Sequence, residues 1–201
     1  MSDTTLLLRK PTELLRKDHD RVRQLFAQYG SADCADASRK RELFLELSEE
    51  ILIHTRIEET LFYPALQKVD AGRVREALDD HRGFRALLEE LMGMDAGVEG
   101  FDAKVELLRK SVDRHARMEE TDLFPLAMKL PKKTLQELSA EIDDLRNDLH
   151  PRPTAEVHGD VVPFYPTLGM PDDRAPLSSP LSPSIDPRGK ESGGYENWGS
   201  E

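Results

Sequence analysis

One phrase occurs twice in this chain, and it constrains the fold more than any other feature. Residues 54–64 read HTRIEETLFYP and residues 115–125 read HARMEETDLFP. A second shared fragment precedes each copy, LLRKDHDRVRQLF around His19 and EALDDHRGFRALL around His81. The offset is 61 residues for the His-x-x-x-Glu copies and 62 for the lone histidines, so the chain holds a tandem pair of like units. Two copies are too few for a solenoid, which needs three or more repeats to bury its faces.

The period inside each unit is helical. Phe44, Leu47, Ile51, His54, Glu58 and Leu61 recur at steps of three and four, as do Val74, Leu78, His81, Phe84, Leu88 and Leu91. Pro11 suits a helix start, and Gly30 a stop. These signals place helices over about 12–29, 38–67, 71–94 and 102–129, with a fifth after Pro131. Long helices joined by short loops predict an all-α, up-down-up-down antiparallel four-helix bundle over 1–130. The narrow stripe Leu135, Leu138, Ile142, Leu145, Leu149 makes 131–150 an accessory amphipathic helix, expected to cap the bundle of its own chain. Nine of the thirteen prolines lie from Pro151 onward, so 151–201 reads as a mostly disordered tail. Within it, VVPFYPTL (161–168) is apolar enough to dock on the bundle.

On these helices the repeated polar residues fall inward. Positions i and i+4 differ by about 40°, so His54 and Glu58 point together, as do His115 and Glu119. Both pairs lie within apolar stripes. His19 shares a stripe with Leu15, Val22 and Phe26. All four histidines lie about 15–24 Å from their bundle ends at about 1.5 Å per residue, so they can meet in one middle layer. Buried carboxylates without partners cost several kcal/mol, and no lysine or arginine shares that layer on the second or fourth helix. A cation is the simplest compensation. Four imidazoles and two carboxylates exceed the four ligands of a structural zinc. They suit two ions, each with two histidines, bridged by both carboxylates and by hydroxide or oxide. Imidazole with carboxylate and no sulfur favours iron over manganese or zinc.

The order His19, His54-x-x-x-Glu58, His81, His115-x-x-x-Glu119 resembles the hemerythrin-like (HHE cation-binding) family, over about residues 10–130. The resemblance implies His19, His54, His81 and His115 as ligands and Glu58 and Glu119 as bridges between two non-haem irons that handle oxygen. Ferritin-like bundles use Glu-x-x-His instead, and no histidine here has glutamate three residues before it. Oxygen-carrying hemerythrins have one more histidine, four residues after the third-helix ligand. Here that place is Arg85, matched by Arg23 after His19. Arginine stays protonated and does not ligate iron, so reversible oxygen storage is disfavoured against sensing or redox chemistry. The two arginines either lie on the surface or line the approach and hold the glutamates or an anion.

Other residues are not counted as ligands. Glu59 and Glu120 turn about 140° from the histidines of their own helices, and Tyr63 faces away from His54. Asp18 and Asp80 point away from the neighbouring ligands. Tyr29 lies too far along its helix to reach the site, and Glu50 belongs to a solvated flank. His150 and His158 are surface residues.

The formal net charge is −11, and no basic stripe invites nucleic acid. The lone Cys34 permits no internal disulfide and no thiolate cage, which fits a reducing cytoplasm. No segment reads as a secretory signal or membrane span. The expected ligand is a diatomic molecule or peroxide. A protein partner through the tail, and a monomer or homodimer, both remain open. So does the choice between a sensor, an enzyme with catalase-like or ferroxidase-like activity, and an iron or oxygen store.

Overall fold

The computed structural model describes residues 10–32 and 36–150. The tail, the docking of 161–168, His158 and Cys34 lie outside them. The described residues are helical, in the order α1 (Pro11–Ser31), α2 (Ala37–Ile57), a π turn (Glu58–Phe62), α3 (Tyr63–Leu66), α4 (Ala71–Met92), α5 (Phe101–Met118), a second π turn (Glu119–Leu123), α6 (Phe124–Ala127) and α7 (Lys132–Leu149). α2 and α3 are one rod interrupted by a π turn, and so are α5 and α6. The expected helices are therefore all present, with ends moved by at most two residues.

Local chemistry sets the starts. Pro11 occupies the first turn of α1, where no N–H is needed. The carboxylates of Asp36 and Asp70 accept from the backbone N–H groups of Arg39 and Arg73 at 2.8 and 3.0 Å, capping α2 and α4. Gly100 precedes α5 with φ of 92°, a conformation that glycine adopts without Cβ strain.

The core divides into two apolar blocks. One holds Val22, Leu25, Phe44, Leu88, Phe101 and Leu108, among others. The other gathers Leu14, Leu15, Ile57, Phe62, Leu66 and Leu123 with Leu138 and Ile142 of α7. Each of the four rods passes from one block to the other through its histidine, so the polar residues form a layer between two greasy ones. α7 packs against α1, α2 and the first π turn. It covers its own bundle, as its leucine stripe suggests. α1 lies along α2 and α4 along α5, whereas α1 and α5 meet only sparsely.

The π turns have a cause in sequence. Pro64 and Pro125 stand inside helical rods, lack an N–H, and crowd the carbonyl four residues back. One extra residue in the preceding turn relieves that crowding. The Tyr63 N–H accordingly reaches Glu58 O, and the Phe124 N–H reaches Glu119 O, each five residues back.

Candidate metal site

The middle layer brings all six expected residues together. Glu58, Glu119 and His81 are 0% exposed, and His115, His19 and His54 are 2%, 4% and 7% exposed. The Nε2 atoms of His19 and His54 lie 3.1 Å apart, as do those of His81 and His115. Glu58 Oε2 sits 3.2 Å from His54 Nε2 and 3.3 Å from His81 Nε2. Glu119 Oε2 sits 3.2 Å from His19 Nε2 and 3.5 Å from His115 Nε2. Each carboxylate therefore touches both histidine pairs.

The outer nitrogens explain which atoms point inward. His19 Nδ1 meets Glu120 Oε1 at 2.9 Å, and His81 Nδ1 meets Glu59 Oε1 at 2.8 Å. His54 Nδ1 meets Asp18 Oδ2 at 3.3 Å. His115 Nδ1 lies 3.4 Å from Asp80 Oδ2, an ion-pair distance without hydrogen-bond alignment. A carboxylate at Nδ1 calls for an N–H there, which leaves the Nε2 lone pair facing the centre. Four lone pairs and two carboxylates then converge with too few protons among them.

Four acids set aside as non-ligands stand just outside the layer. Glu59 and Glu120 do turn from the histidines of their own rods, but they reach imidazoles on α4 and α1. Asp18 and Asp80 point away from His19 and His81, and by doing so face His54 and His115 on the neighbouring helices. The doubled Asp-His and Glu-Glu pairs carried that signal: the acids next to His19, His81, Glu58 and Glu119 in the chain each face a buried histidine on another helix. Arg85 in turn pairs with Glu59, and Arg23 reaches Glu120 at 3.0 Å and Asp113 at 3.5 Å. The arginines thus hold the orienting glutamates. Tyr29 donates to Asp102 at 2.6 Å, and Glu50 lies on the α2 flank beside Arg21, both apart from the middle layer.

Tyr63 is the larger correction. On an unbroken α-helix it would lie about 140° from Glu58. The π turn closes five residues instead of four, so Tyr63 returns over Glu58. Its Oη lies 2.8 Å from Glu119 Oε1, 3.2 Å from Glu58 Oε2 and 3.1 Å from His81 Nε2. The proline one residue later was the available sign. Phe124 occupies the matching place in the second copy and stacks on His19 at 5.8 Å. The two halves of the site are therefore unequal, one with a phenol and one with a plain ring.

Burial raises the Glu58 carboxyl well above its ordinary range, and the Glu119 charge adds to this. Burial likewise pushes His81 down to about 4, despite Glu59. Burial and then the two glutamates push the Tyr63 phenol well up, so it stays a donor. The hydrogen bond from His19 holds Glu120 at about 2, against burial and with help from Arg23.

The residues fit a cation. Glu58 Oε1 finds no hydrogen-bond donor among the described residues. No lysine or arginine pairs with Glu58 or Glu119 among the described ion pairs. Ligands around a small cation, with bonds of about 2.1 Å at roughly tetrahedral or right angles, stand roughly 3.0–3.4 Å apart. The spacings of 3.1 to 3.5 Å between Nε2 and carboxylate atoms are of that size. Two groupings have ligand atoms that all lie within 4.8 Å of one another, His19 with His54, Glu58 and Glu119, and Glu58 with His81 and His115. The buried cluster is compatible with a metal-binding site.

Comparison with known proteins agrees. A DNA nickase from Nostoc sp. is 26% identical over 113 residues, which cover 56% of this chain but only 32% of that relative. The uncharacterized protein Rv2633c of Mycobacterium tuberculosis is 28% identical over 141 residues, covering 67% of this chain and 86% of its own length. The crystal structure of a hemerythrin HHE cation binding domain-containing protein from Mycobacterium kansasii, a homolog of Rv2633c, superposes with a TM-score of 0.63. It is 25% identical and covers 70% of this chain and 87% of that one. The family model described as the hemerythrin HHE cation binding domain matches residues 10–127. The match spans every rod that contributes to the buried cluster, and the chain belongs to the hemerythrin HHE cation-binding domain family.

Proposed function

We propose that this protein binds two iron ions and acts on a small oxidising ligand, a peroxide, oxygen or nitric oxide, by redox chemistry or by sensing. His19 and His54 would hold one ion and His81 and His115 the other, with Glu58 and Glu119 between them. The observation that carries this reading is the convergence of four Nε2 atoms and two carboxylates, while each Nδ1 faces an acid on another helix. When bound, the irons supply electron transfer that no side chain here can supply.

The protein's own residues do the rest. Burial favours the protonated form of Glu58 and a bound cation its ionised form, so metal loading is expected to release protons. The acids at Nδ1 fix each ring and raise its basicity. Tyr63 keeps a proton at Oη beside the His81–His115 half, within reach of a ligand there. The two apolar blocks shield the layer from water on its two sides. Arg23 and Arg85, engaged by Glu120 and Glu59, stand where no further imidazole can ligate, which favours turnover or signalling over reversible carriage. Nucleic acid has no part in this reading, because the net charge is −11 and the match to the nickase spans 32% of that protein.

A peroxide assay on the iron-loaded protein tests the reading. Rapid disproportionation that disappears in Glu58→Ala identifies an enzyme. Tight binding of the same small ligands without turnover identifies a sensor. Neither binding nor turnover would contradict the proposal.

A further inference from the structure

A crevice of about 510 Å³ opens from the metal layer and runs between α1 and α5, the pair of helices that meet only sparsely. On α1 it follows two adjacent stripes, from His19 to Gly30, a length of roughly 17 Å at 1.5 Å per residue. Its inner end is His19, His54 and His115. Its walls between the ends are largely apolar, with Val22, Phe26, Ile51, Phe84, Val105 and Val112. Its outer end is built from Tyr29, Asp102 and Lys40. Tyr29 and Lys40 reach the two Asp102 oxygens at 2.6 and 2.5 Å, and the Lys40 side chain is only 6% exposed.

The volume exceeds what a diatomic molecule or hydrogen peroxide fills, leaving room for a substituent on the oxygen-bearing ligand. A water occupies about 30 Å³ of liquid, whereas pockets of about 300–1,000 Å³ hold drug-sized ligands. An apolar trough with polar groups at its ends suits a molecule with a long apolar body and a terminal oxygen. A rim of paired charges, Arg23 with Asp113 and Arg109 with Glu106, confines that body lengthwise. We propose that the α1–α5 crevice binds a medium-chain aliphatic molecule with a terminal oxygen function, of the alcohol or alkyl hydroperoxide class, with the oxygen end at the histidines. This names the ligand class of the site and rests on the two-iron reading for its inner end.

The test is binding of 1-decanol and butan-1-ol to the full-length, iron-loaded chain, by calorimetry and by near-ultraviolet absorption of the iron centre. Each buried methylene tightens binding about fourfold, so 1-decanol is expected to bind at least about a hundredfold tighter and to shift the absorption. Val112→Trp and Ala27→Phe add bulk to the crevice from α5 and α1 at positions outside the six central residues. Each is expected to weaken 1-decanol binding at least about tenfold at unchanged iron content. Equal affinity for the two alcohols, or full affinity in both variants, overturns the proposal. An unshifted absorption overturns the orientation. Two irons per chain without chain-length dependence sinks this inference alone. Chain-length dependence in a protein that takes up no metal sinks the two-iron reading alone.

Discussion

Replacing Tyr63 with phenylalanine removes one oxygen from the centre of the molecule and nothing else. The ring is 1% exposed, so its shape and packing survive in the variant. The lost atom is the donor 2.8 Å from Glu119 Oε1, with Glu58 Oε2 at 3.2 Å as its second acidic neighbour. A hydrogen bond to a charged acceptor contributes about 1.5–3 kcal/mol, and water cannot replace it at a fully buried carboxylate. Metal-free Tyr63→Phe should therefore unfold with a free energy lowered by about 2 kcal/mol. For a domain of this size that is roughly 8 °C in Tm, at about 4 °C per kcal/mol. Urea titration of chelator-treated protein at neutral pH measures it. Tyr29→Phe is the internal control, because its acceptor Asp102 has a side chain 56% exposed and solvent can take over. Its loss should stay below about 1 kcal/mol. A Tyr63→Phe protein within about 0.5 kcal/mol of the parent, a surface-like effect, would show that the phenol does not support the carboxylates.

Asp18→Asn should lower metal affinity by about 10–100-fold through His54, without removing a ligand, as judged by competition with a chromogenic chelator. Unchanged affinity would mean that Asp18 does not orient the ring. Ile142→Ala, at a 0% exposed position of α7, should cost about 2–4 kcal/mol in urea unfolding, and a cost near zero would mean that α7 is not part of the core. Asp102 titrates below its ordinary 3.8 because Lys40 and then Tyr29 hold its charged form. Its stabilising contribution is full above about pH 5 and is lost as pH falls through that range toward the lowered value. Asp102→Asn should flatten this part of the acid limb, and an identical limb would contradict the assignment.

Much of the fold was legible because the 3.6-residue period and the loop punctuation agree along 10–150. The six central residues were legible for a related reason. Duplication placed the same polar types at the same depth on four rods, where only a shared role reconciles them with burial. What escaped was whatever depended on a neighbouring helix or a broken period. Angles measured along one helix correctly sent Glu59 away from His54, but could not show His81 arriving from α4. Asp18 and Asp80 escaped in the same way. Tyr63 escaped because an unbroken 100° step was carried through a segment that Pro64 interrupts. The inequality of the halves was visible as Tyr63 against Phe124. It gained meaning once both rings were seen to stand beside histidines. The α1–α5 crevice had no signal in sequence, since a gap between helices arises from packing and not from any one residue.

The buried layer is proposed as a two-ion site. Metal content per chain, measured by elemental analysis of the protein as isolated and again after anaerobic iron loading and desalting, tests it most directly. Two irons per chain are expected in the loaded protein, with the loss of at least one in Glu58→Ala and in Glu119→Ala. A stoichiometry near zero or one in the loaded parent protein would contradict it.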